Sequence, residues 1–271
     1  MAEVASRAHG VLVGPGLGRE YNFFEQNLET FEQSVKNKLV VFDADSLWHL
    51  VYHHAEKSDL DDQGAFFIDH ILKALDKNKN EVVLTPNCIE AARLLWHLEG
   101  REGSLDPSKI EKIHEICFEK YQKDQQGWGN NELLAEVQSE EILSQSKEFE
   151  AFLALIRKYS NLTVVLKGKV DVIISGSDPK KVSIVGVEGS LKRCGGIGDL
   201  LSGLICQLGF FSRRKLERAH EGVILASILT RLVSRHSYEK YTYALTAQML
   251  LNELPYVVHR CFEGLDRSQK L

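Results

Sequence analysis

The sequence lacks the features that would mark a membrane protein, a disulfide-stabilised domain or a nucleic-acid-binding protein. No apolar run approaches the ~20 residues that a membrane-spanning helix needs. The five cysteines are scattered and form no C-x-x-C pair, which disfavours a disulfide framework or a zinc site. The 33 Lys and Arg residues face 38 Asp and Glu, for a formal net charge of −5. Because phosphate neutralisation needs a basic surplus, this balance argues against nucleic acid as a partner.

Two familiar nucleotide-binding signatures are also missing. The turn Gly14-Pro15-Gly16-Leu17-Gly18 is not followed by the Lys and Ser or Thr of a P-loop. It also lacks the G-x-G-x-x-G spacing of a dinucleotide fingerprint. The first ten residues contain no apolar segment of the kind found in secretory signals. Reduced cysteines and this N-terminus lead us to expect a cytoplasmic protein, with a mitochondrial location for a longer form.

Short apolar runs alternate with helical patterns along most of the chain. The runs are VLV, LVVF, VVL and TVVL, and they are continuous rather than alternating, as in strands buried on both faces. This pattern predicts an α/β fold with a mostly parallel sheet. Two further runs around Ser-Asp-Pro-Lys-Lys, in residues 170–187, predict an antiparallel hairpin. From Gly198 onward the pattern is helical.

Residues 101–150 differ in composition from the rest of the chain. This stretch is polar, charged and helix-prone, with few residues suited to a core. We interpret it as an insertion of exposed helices and loop within a single domain spanning residues 1–271. At 271 residues the chain is long enough to bury a sizeable core.

Polar and glycine residues follow each of the predicted parallel strands. They are the Gly14–Gly18 turn, Asp43 with Asp45, Asn87 with Glu90, and Lys167 to Asp171. In parallel sheets ligands bind beyond the carboxyl ends of the strands, so we expect these groups to share one edge. Each has a structural alternative: a plain turn, a capped turn, a helix-capping pair or a surface lysine. Asn87 and Glu90 in particular have the spacing of an N-cap and its N3 partner.

The stretch LKRCGGIGDLLSGLI, residues 191–205, carries the most specific signal. Its glycines free several backbone N–H groups to point at one anion, and the start of the following helix adds positive potential. Asp199 at that helix start can cap the helix, and it can also accept a proton from a substrate hydroxyl. Phosphoryl transfer needs both an anion cradle and such a base.

Five segments in this order resemble the ATP- or ADP-dependent NAD(P)H-hydrate dehydratases of the ribokinase-like superfamily, and the eukaryotic form most closely. They are VGPGLGR, VVFDAD, LTPNCIEAARL, VVLKGKVDVI and RCGGIGDLLSG. The resemblance implies a three-layer α/β/α fold and a lyase that repairs hydrated NADH or NADPH. The damaged hydroxyl would be phosphorylated, with ATP or ADP as the nucleotide and Mg²⁺ as the ion, and would then leave as phosphate.

The resemblance also implies the residues of the site. Asp199 would be the catalytic base and would also contact the hydrated nucleotide. Glu90 would reach the metal through water. The residues implied to bind ATP are Lys167, Gly168, Lys169, Val170, Asp171, Gly189, Ser190, Leu191, Lys192, Arg193, Cys194, Gly195, Gly196, Ile197 and Gly198. Those implied to bind the hydrated nucleotide are Gly16, Gly18, Asn87, Cys88, Ile89, Glu90, Ala91, Ala92 and Arg93.

Two departures from the family accompany this resemblance. The VGPGLG segment begins near residue 11, so the resemblance implies a chain shortened at its N-terminus, without the first strands of the family's sheet. The family does not need the 101–150 insertion for its chemistry. Two other functions stay open: a ribokinase-like small-molecule kinase, and a truncated inactive paralogue that binds nucleotide. A homo-oligomer is expected because related enzymes assemble from several subunits.

Overall fold

The computed structural model describes residues 8–20, 23–51, 67–100, 104–126 and 133–268. The strands of these residues are β1 (Gly10–Val13), β2 (Leu39–Phe42), β3 (Glu81–Leu84), β4 (Leu134–Gln138), β5 (Leu162–Leu166), β6 (Asp171–Ser175) and β7 (Asp178–Val185). The first helices are α1 (Phe23–Val35), α2 (Asp45–Val51), α3 (Phe67–Lys77), α4 (Cys88–Leu98) and α5 (Ser108–Gln126). The later helices are α6 (Ser139–Leu143), α7 (Phe149–Lys158), α8 (Ile197–Leu216), α9 (His220–Tyr241) and α10 (Ala247–Ser268), with a 3₁₀ turn at Thr242–Ala244.

The strands form one mixed sheet in the order β1-β2-β3-β5-β6-β7-β4. Strands β1, β2, β3 and β5 are parallel, and Val13, Phe42 and Leu84 lie side by side near their carboxyl ends. Strand β6 is antiparallel to β5 and β7, and β4 is antiparallel to β7. Strand β1 forms one edge of the sheet. The predicted α/β class with a parallel sheet core is therefore confirmed.

Helices cover both faces of the sheet, because successive side chains of a strand point to opposite sides. In β2, Val40 and Phe42 belong to a buried cluster that includes residues of α1 to α7. Leu39 and Val41 belong to a second cluster that includes residues of α8 and α9. All four residues of β2 are buried, which explains why the strand has an uninterrupted apolar sequence.

The predicted hairpin is present, but its turn lies earlier than the sequence suggested. Residues 176 and 177 make the turn, and the Asp-Pro-Lys-Lys segment belongs to β7. Asp178 and Lys180 occupy the outer end of that strand, where Asp178 is exposed. Pro179 is tolerated because it lies in a register shift of the β6–β7 pairing, between the pairs Ile174–Val182 and Ser175–Asp178, and outside the residues that pair with β4.

The stretch 101–150 is more integrated than predicted. Helix α5 buries Ile110, Ile113 and Cys117, and β4 adds the seventh strand to the sheet by pairing with β7. An amphipathic helix with one narrow apolar stripe explains why the segment has few core residues and still packs. None of the helices in the described part of the chain combines the length and apolar character that crossing a membrane requires.

Candidate functional site

The strand-end groups come together at the carboxyl edge of the parallel strands, as predicted. Lys167, after β5, donates a hydrogen bond from Nζ to Oδ1 of Asp43, after β2, over 2.6 Å. The Asp43 side chain is 2% exposed and that of Lys167 15%. The backbone N–H of Lys167 also donates to the carbonyl of Pro86, after β3. A side chain added at Gly198 would lie 3.5 Å from Lys167 Nζ and 3.9 Å from Asp43 Oδ2. The first turn of α8 thus lies against this buried ion pair.

The turn after β1 divides into a packed glycine and two open ones. A Cβ at Gly14 would lie 1.6 Å from the carbonyl oxygen of Asp43, so only glycine fits there. Gly16 and Gly18 have φ of +71° and +79°, and a Cβ at either would meet no heavy atom within 4 Å. Asp45 accepts from the Gly18 N–H over 3.1 Å and from Arg19 Nε over 2.7 Å. Asp45 therefore orders the turn, and the open side of Gly16 and Gly18 is accessible to a ligand.

Asn87 and Glu90 form the predicted capping box at the start of α4. The Asn87 side chain accepts from the N–H groups of Ile89 and Glu90, and Glu90 Oε2 accepts from the Asn87 N–H over 2.9 Å. Burial raises the pKa of Glu90, with Asp43 acting in the same direction, against the lowering by the Asn87 N–H and Lys167. Asn87 and Glu90 therefore cap α4, and the Glu90 carboxyl is close enough to Lys167 and Asp43 for their charges to act on its pKa.

The remaining residues of this stretch divide between core and surface. Ala91 and Ala92 are buried in the core, at 0% and 2% exposure. Ile89 is 43% exposed, and Arg93 and Cys88 are half-buried. A contact with substrate would therefore use the first turn of α4, where the side chains are accessible, rather than the two alanines.

The glycine loop and Asp199 are arranged as a helix N-terminus facing solvent. Helix α8 begins at Ile197, two residues before Asp199, and is preceded by Gly196 in the left-handed region with φ of +91°. Asp199 therefore occupies the third position of the helix, where its carboxylate is exposed. Among the described residues, none donates a hydrogen bond to that carboxylate. The backbone carbonyl of Asp199 accepts from Ser202 Oγ over 3.1 Å. An exposed carboxylate at a helix N-terminus is free to accept a proton from a bound ligand.

The segment Lys167–Asp171 is held by one arginine of α9. Arg231 donates from Nε to Asp171 Oδ2 over 2.9 Å and from one terminal nitrogen to Asp171 Oδ1 over 2.8 Å. It also donates to the carbonyls of Gly168 and Lys169, and Ser227 donates to Asp171 Oδ2 over 2.6 Å. Burial alone would raise the pKa of Asp171, but Arg231 and Ser227 hold it below its usual value. The Asp171 side chain is buried in this clamp, so it orders the loop rather than facing a ligand.

The stretch 189–194 is fixed from α9 and the 3₁₀ turn. The Ser190 N–H donates to Ser234 Oγ over 3.2 Å, and Ser190 Oγ donates to the Lys192 carbonyl over 2.7 Å. Lys192 Nζ donates to the carbonyls of Tyr243 and Leu245. Leu191 is 85% exposed, Arg193 is exposed and Cys194 is half-buried. These hydrogen bonds order the backbone of residues 189–194, which lead into the glycine loop before Asp199.

Sequence reasoning did not single out Arg231, Ser227 and Ser234. All three lie on α9, 28 to 35 residues after Asp199 along the chain, in a segment with the pattern of a plain amphipathic helix. The only local signal is a basic residue inside an apolar pattern, in SILTRLVS. Such a residue is rarely buried without a partner, but the partner cannot be identified from the helix alone.

Comparison with known proteins identifies relatives of this chain. A sequence model of a family described as NAD(P)H-hydrate dehydratase matches residues 1–124 and 131–256. The ATP-dependent (S)-NAD(P)H-hydrate dehydratase of Caenorhabditis elegans is 29% identical over 260 residues, covering 93% of this chain and 66% of the relative. Proteins of the same name from Nematostella vectensis and Bos taurus are 28% and 29% identical, covering 98% and 95% of this chain. The chain spans 58–66% of the length of these three relatives.

Proposed function

The chain belongs to the NAD(P)H-hydrate dehydratase family, and from this premise we propose that it dehydrates the S-form of hydrated NADH or NADPH at the expense of ATP. One observation carries the proposal: the accessible carboxylate of Asp199 stands at the N-terminus of α8, and the neighbouring Gly198 in the same turn lies against the Lys167–Asp43 pair. The names of the relatives, which include ATP and the hydrated nucleotide, support the choice of substrates.

The proposed reaction begins with proton transfer to Asp199. The hydroxyl of the hydrated ring gives its proton to this carboxylate, and the oxygen attacks the terminal phosphorus as the bond to ADP breaks. The backbone N–H groups of Gly195 to Gly198 and the ammonium of Lys167 face the transferring group and stabilise its charge. The phosphate then leaves carbon with its bonding electrons, and loss of a proton from the neighbouring carbon forms the ring double bond.

The open turn at Gly16 and Gly18 and the first turn of α4 lie on one side of the site, where they follow the parallel strands β1 and β3. We assign the hydrated nicotinamide nucleotide to this side, with Asn87 and Arg93 as polar contacts. The nucleotide that supplies phosphate is assigned to the side of Lys167–Asp171 and Gly189–Gly198. This division puts the hydroxyl and the terminal phosphate on either side of Asp199.

A magnesium ion fits this site only in association with phosphate. In the described part of the chain, no group of three or more His, Cys, Asp or Glu side chains is placed to hold a metal. Asp43 is already paired with Lys167, and Glu90 keeps one oxygen outside its capping bond. Mg²⁺ with a nucleotide commonly takes one or two carboxylates together with phosphates and waters. We assign Glu90 a water-mediated contact; a bound ion would neutralise charge on the triphosphate.

The direct test is to incubate the protein with ATP and hydrated NADH and to follow NADH absorbance together with phosphate release. We expect both to rise in parallel, and both to fall by about 10²–10⁴-fold in Asp199→Asn, the range typical of a lost general base. Asp76→Asn, an exposed carboxylate on α3, is the matched control and should act like wild type.

This assay, together with melting temperatures measured with and without nucleotide, separates the two alternatives. A phosphorylated product without NADH would identify a kinase. Nucleotide-induced stabilisation in wild type and Asp199→Asn, with no turnover in either, would identify an inactive binding protein. A cytoplasmic location and a homo-oligomeric state stay predictions from the sequence.

A further inference from the structure

Helix α5, in the stretch 101–150, is seated directly on two loops of the candidate nucleotide side. A Cβ added at Gly168 would lie 2.6 Å from the His114 ring, and one added at Gly186 would lie 2.5 Å from the Tyr121 ring. His114 and Tyr121 are buried, at 7% and 8% exposure. Only glycine at these two positions allows the helix to approach so closely. The helix is therefore a fixed wall and not a peripheral appendage.

Beside this wall lies a cavity of about 440 Å³. Its lining includes Phe118, Tyr121 and Gln122 of α5, and Val187 and Glu188 of the segment that leads from β7 into the glycine loop. The volume falls within the roughly 300–1,000 Å³ of typical small-molecule sites. Since Glu188 immediately precedes Gly189, the cavity continues from the loop that we assign to the triphosphate.

We propose that this cavity holds the heteroaromatic base of the nucleoside triphosphate, and that α5 thereby sets the enzyme's nucleotide affinity and selectivity. The inference rests on the proposed function, because that function places the phosphates at Gly189–Gly198. It assigns a ligand-binding role to a stretch of chain that the chemistry itself does not require.

The chemistry of the lining fits a flat, nitrogen-containing ring. Phe118 and Tyr121 supply apolar aromatic surface, and the Gln122 carboxamide supplies both a donor and an acceptor. Lys169 Nζ lies 3.4 Å from the centre of the Phe118 ring, so a cation of the stretch Lys167–Asp171 stands beside the aromatic part of the lining. Arg235 also lines the cavity and donates from Nε to Glu239 over 3.0 Å. A base in this cavity would be joined through its sugar to phosphates held by the Gly189–Gly198 loop, which begins one residue after Glu188 of the lining.

The test compares two probes, ATP and inorganic tripolyphosphate, by calorimetric titration. Tripolyphosphate has the phosphates of ATP without its base, so the difference between the two dissociation constants reports the base alone. We expect Phe118→Ala and Gln122→Ala each to weaken ATP binding about tenfold and to leave tripolyphosphate binding unchanged. Gln122 is exposed, so its variant should fold normally even if Phe118→Ala loses stability. Glu115→Gln, an exposed position on the same helix, is the matched control.

Two results would overturn the inference. Equal weakening of both probes would mean that α5 shapes the phosphate loop and not a base site. Unchanged ATP affinity in both variants would mean that the base lies elsewhere. In either case, NADH formation by wild type would leave the proposed function standing. Weaker ATP binding with unchanged tripolyphosphate binding in the variants, but no NADH formed by wild type, would instead support the base site and refute the dehydratase.

Discussion

Lys167 Nζ donates to Asp43 Oδ1 over 2.6 Å and thereby joins the ends of two strands that are 124 residues apart in the chain. Both side chains are largely buried, and a Cβ added at Gly198, beside Asp199 in the first turn of α8, would lie 3.5 Å from the ammonium. An ammonium has three donors, of which this bond uses one. The pair therefore fixes a positive charge next to the proposed base, with donors left for a phosphate.

We expect Asp43→Asn to lower the free energy of unfolding by about 3–5 kcal/mol, because it leaves the Lys167 ammonium buried without its counter-charge. Urea denaturation measures the loss. The control is Asp45→Asn, two residues along the chain, where the partner Arg19 is 43% exposed. An ion pair that exposed contributes about 0–1 kcal/mol. Equal losses in the two variants would contradict the importance of the buried pair.

Two adjacent glycines of the loop should behave differently when changed to alanine. At Gly196 a Cβ would lie 2.7 Å from that of Ala247, and φ is +91°, so Gly196→Ala should destabilise the start of α8. At Gly195 a Cβ would meet no heavy atom within 4 Å. Gly195→Ala should therefore keep the wild-type melting temperature and lose only nucleotide affinity. A lowered melting temperature in Gly195→Ala with full nucleotide binding would contradict this division.

Replacing Arg231 by Lys should destabilise the protein although the charge is kept. The guanidinium bridges both oxygens of Asp171 and the carbonyls of Gly168 and Lys169, which a single ammonium cannot reach together. We expect a loss of about 2–4 kcal/mol in urea unfolding, in the range for broken buried charged hydrogen bonds. Arg157→Lys, at an exposed pair with Glu150, should change stability by less than about 1 kcal/mol.

Acid should destabilise the protein through Glu253. Hydrogen bonds from Lys240 and Tyr241, 2.7 Å each, and a third from His236 lower the pKa of this carboxyl to about 2 from an ordinary 4.5. The unfolded chain binds this proton first as the pH falls, so the stabilisation is complete above about pH 4.5 and is lost between there and about pH 2.

The variant Glu253→Gln should flatten the pH dependence of unfolding in that range. Tyr241→Phe removes one of the hydrogen bonds and should flatten it partly. Urea midpoints measured at several pH values between 2 and 5.5 give the slopes. A slope in Glu253→Gln as steep as that of wild type would show that another group controls acid stability.

The local parts of the site could be predicted because short-range rules control them. The capping box of Asn87 and Glu90 follows from a spacing of three residues at a helix start. The meeting of the strand ends follows from parallel pairing, which brings the carboxyl ends to one edge. The hairpin turn was misplaced because Asp-Pro-Lys-Lys has strong turn propensity, while the preceding Gly176–Ser177 makes the turn.

The long-range parts could not be predicted in the same way. Residues 101–150 have the composition of an exposed insertion, yet β4 pairs with β7, about 45 residues later in the chain. An edge strand needs only one apolar side, so its sequence carries a weak signal. Likewise, Asp171 reads as a ligand contact beside Lys167, and only the fold reveals that Arg231 encloses it.

By itself, the sequence determined the alternation of buried strands with helices, the glycine loop before Asp199 and the family to which the chain belongs. These depend on periodicity, capping and backbone freedom within a few residues, which local physics controls. Tertiary structure alone decided that Lys167 faces Asp43, that Arg231 locks Asp171 and that α5 walls a cavity beside the loop. Those contacts join residues far apart in the chain. A buried charge needs a partner, and which residue can serve as the partner is decided only once the sheet has formed.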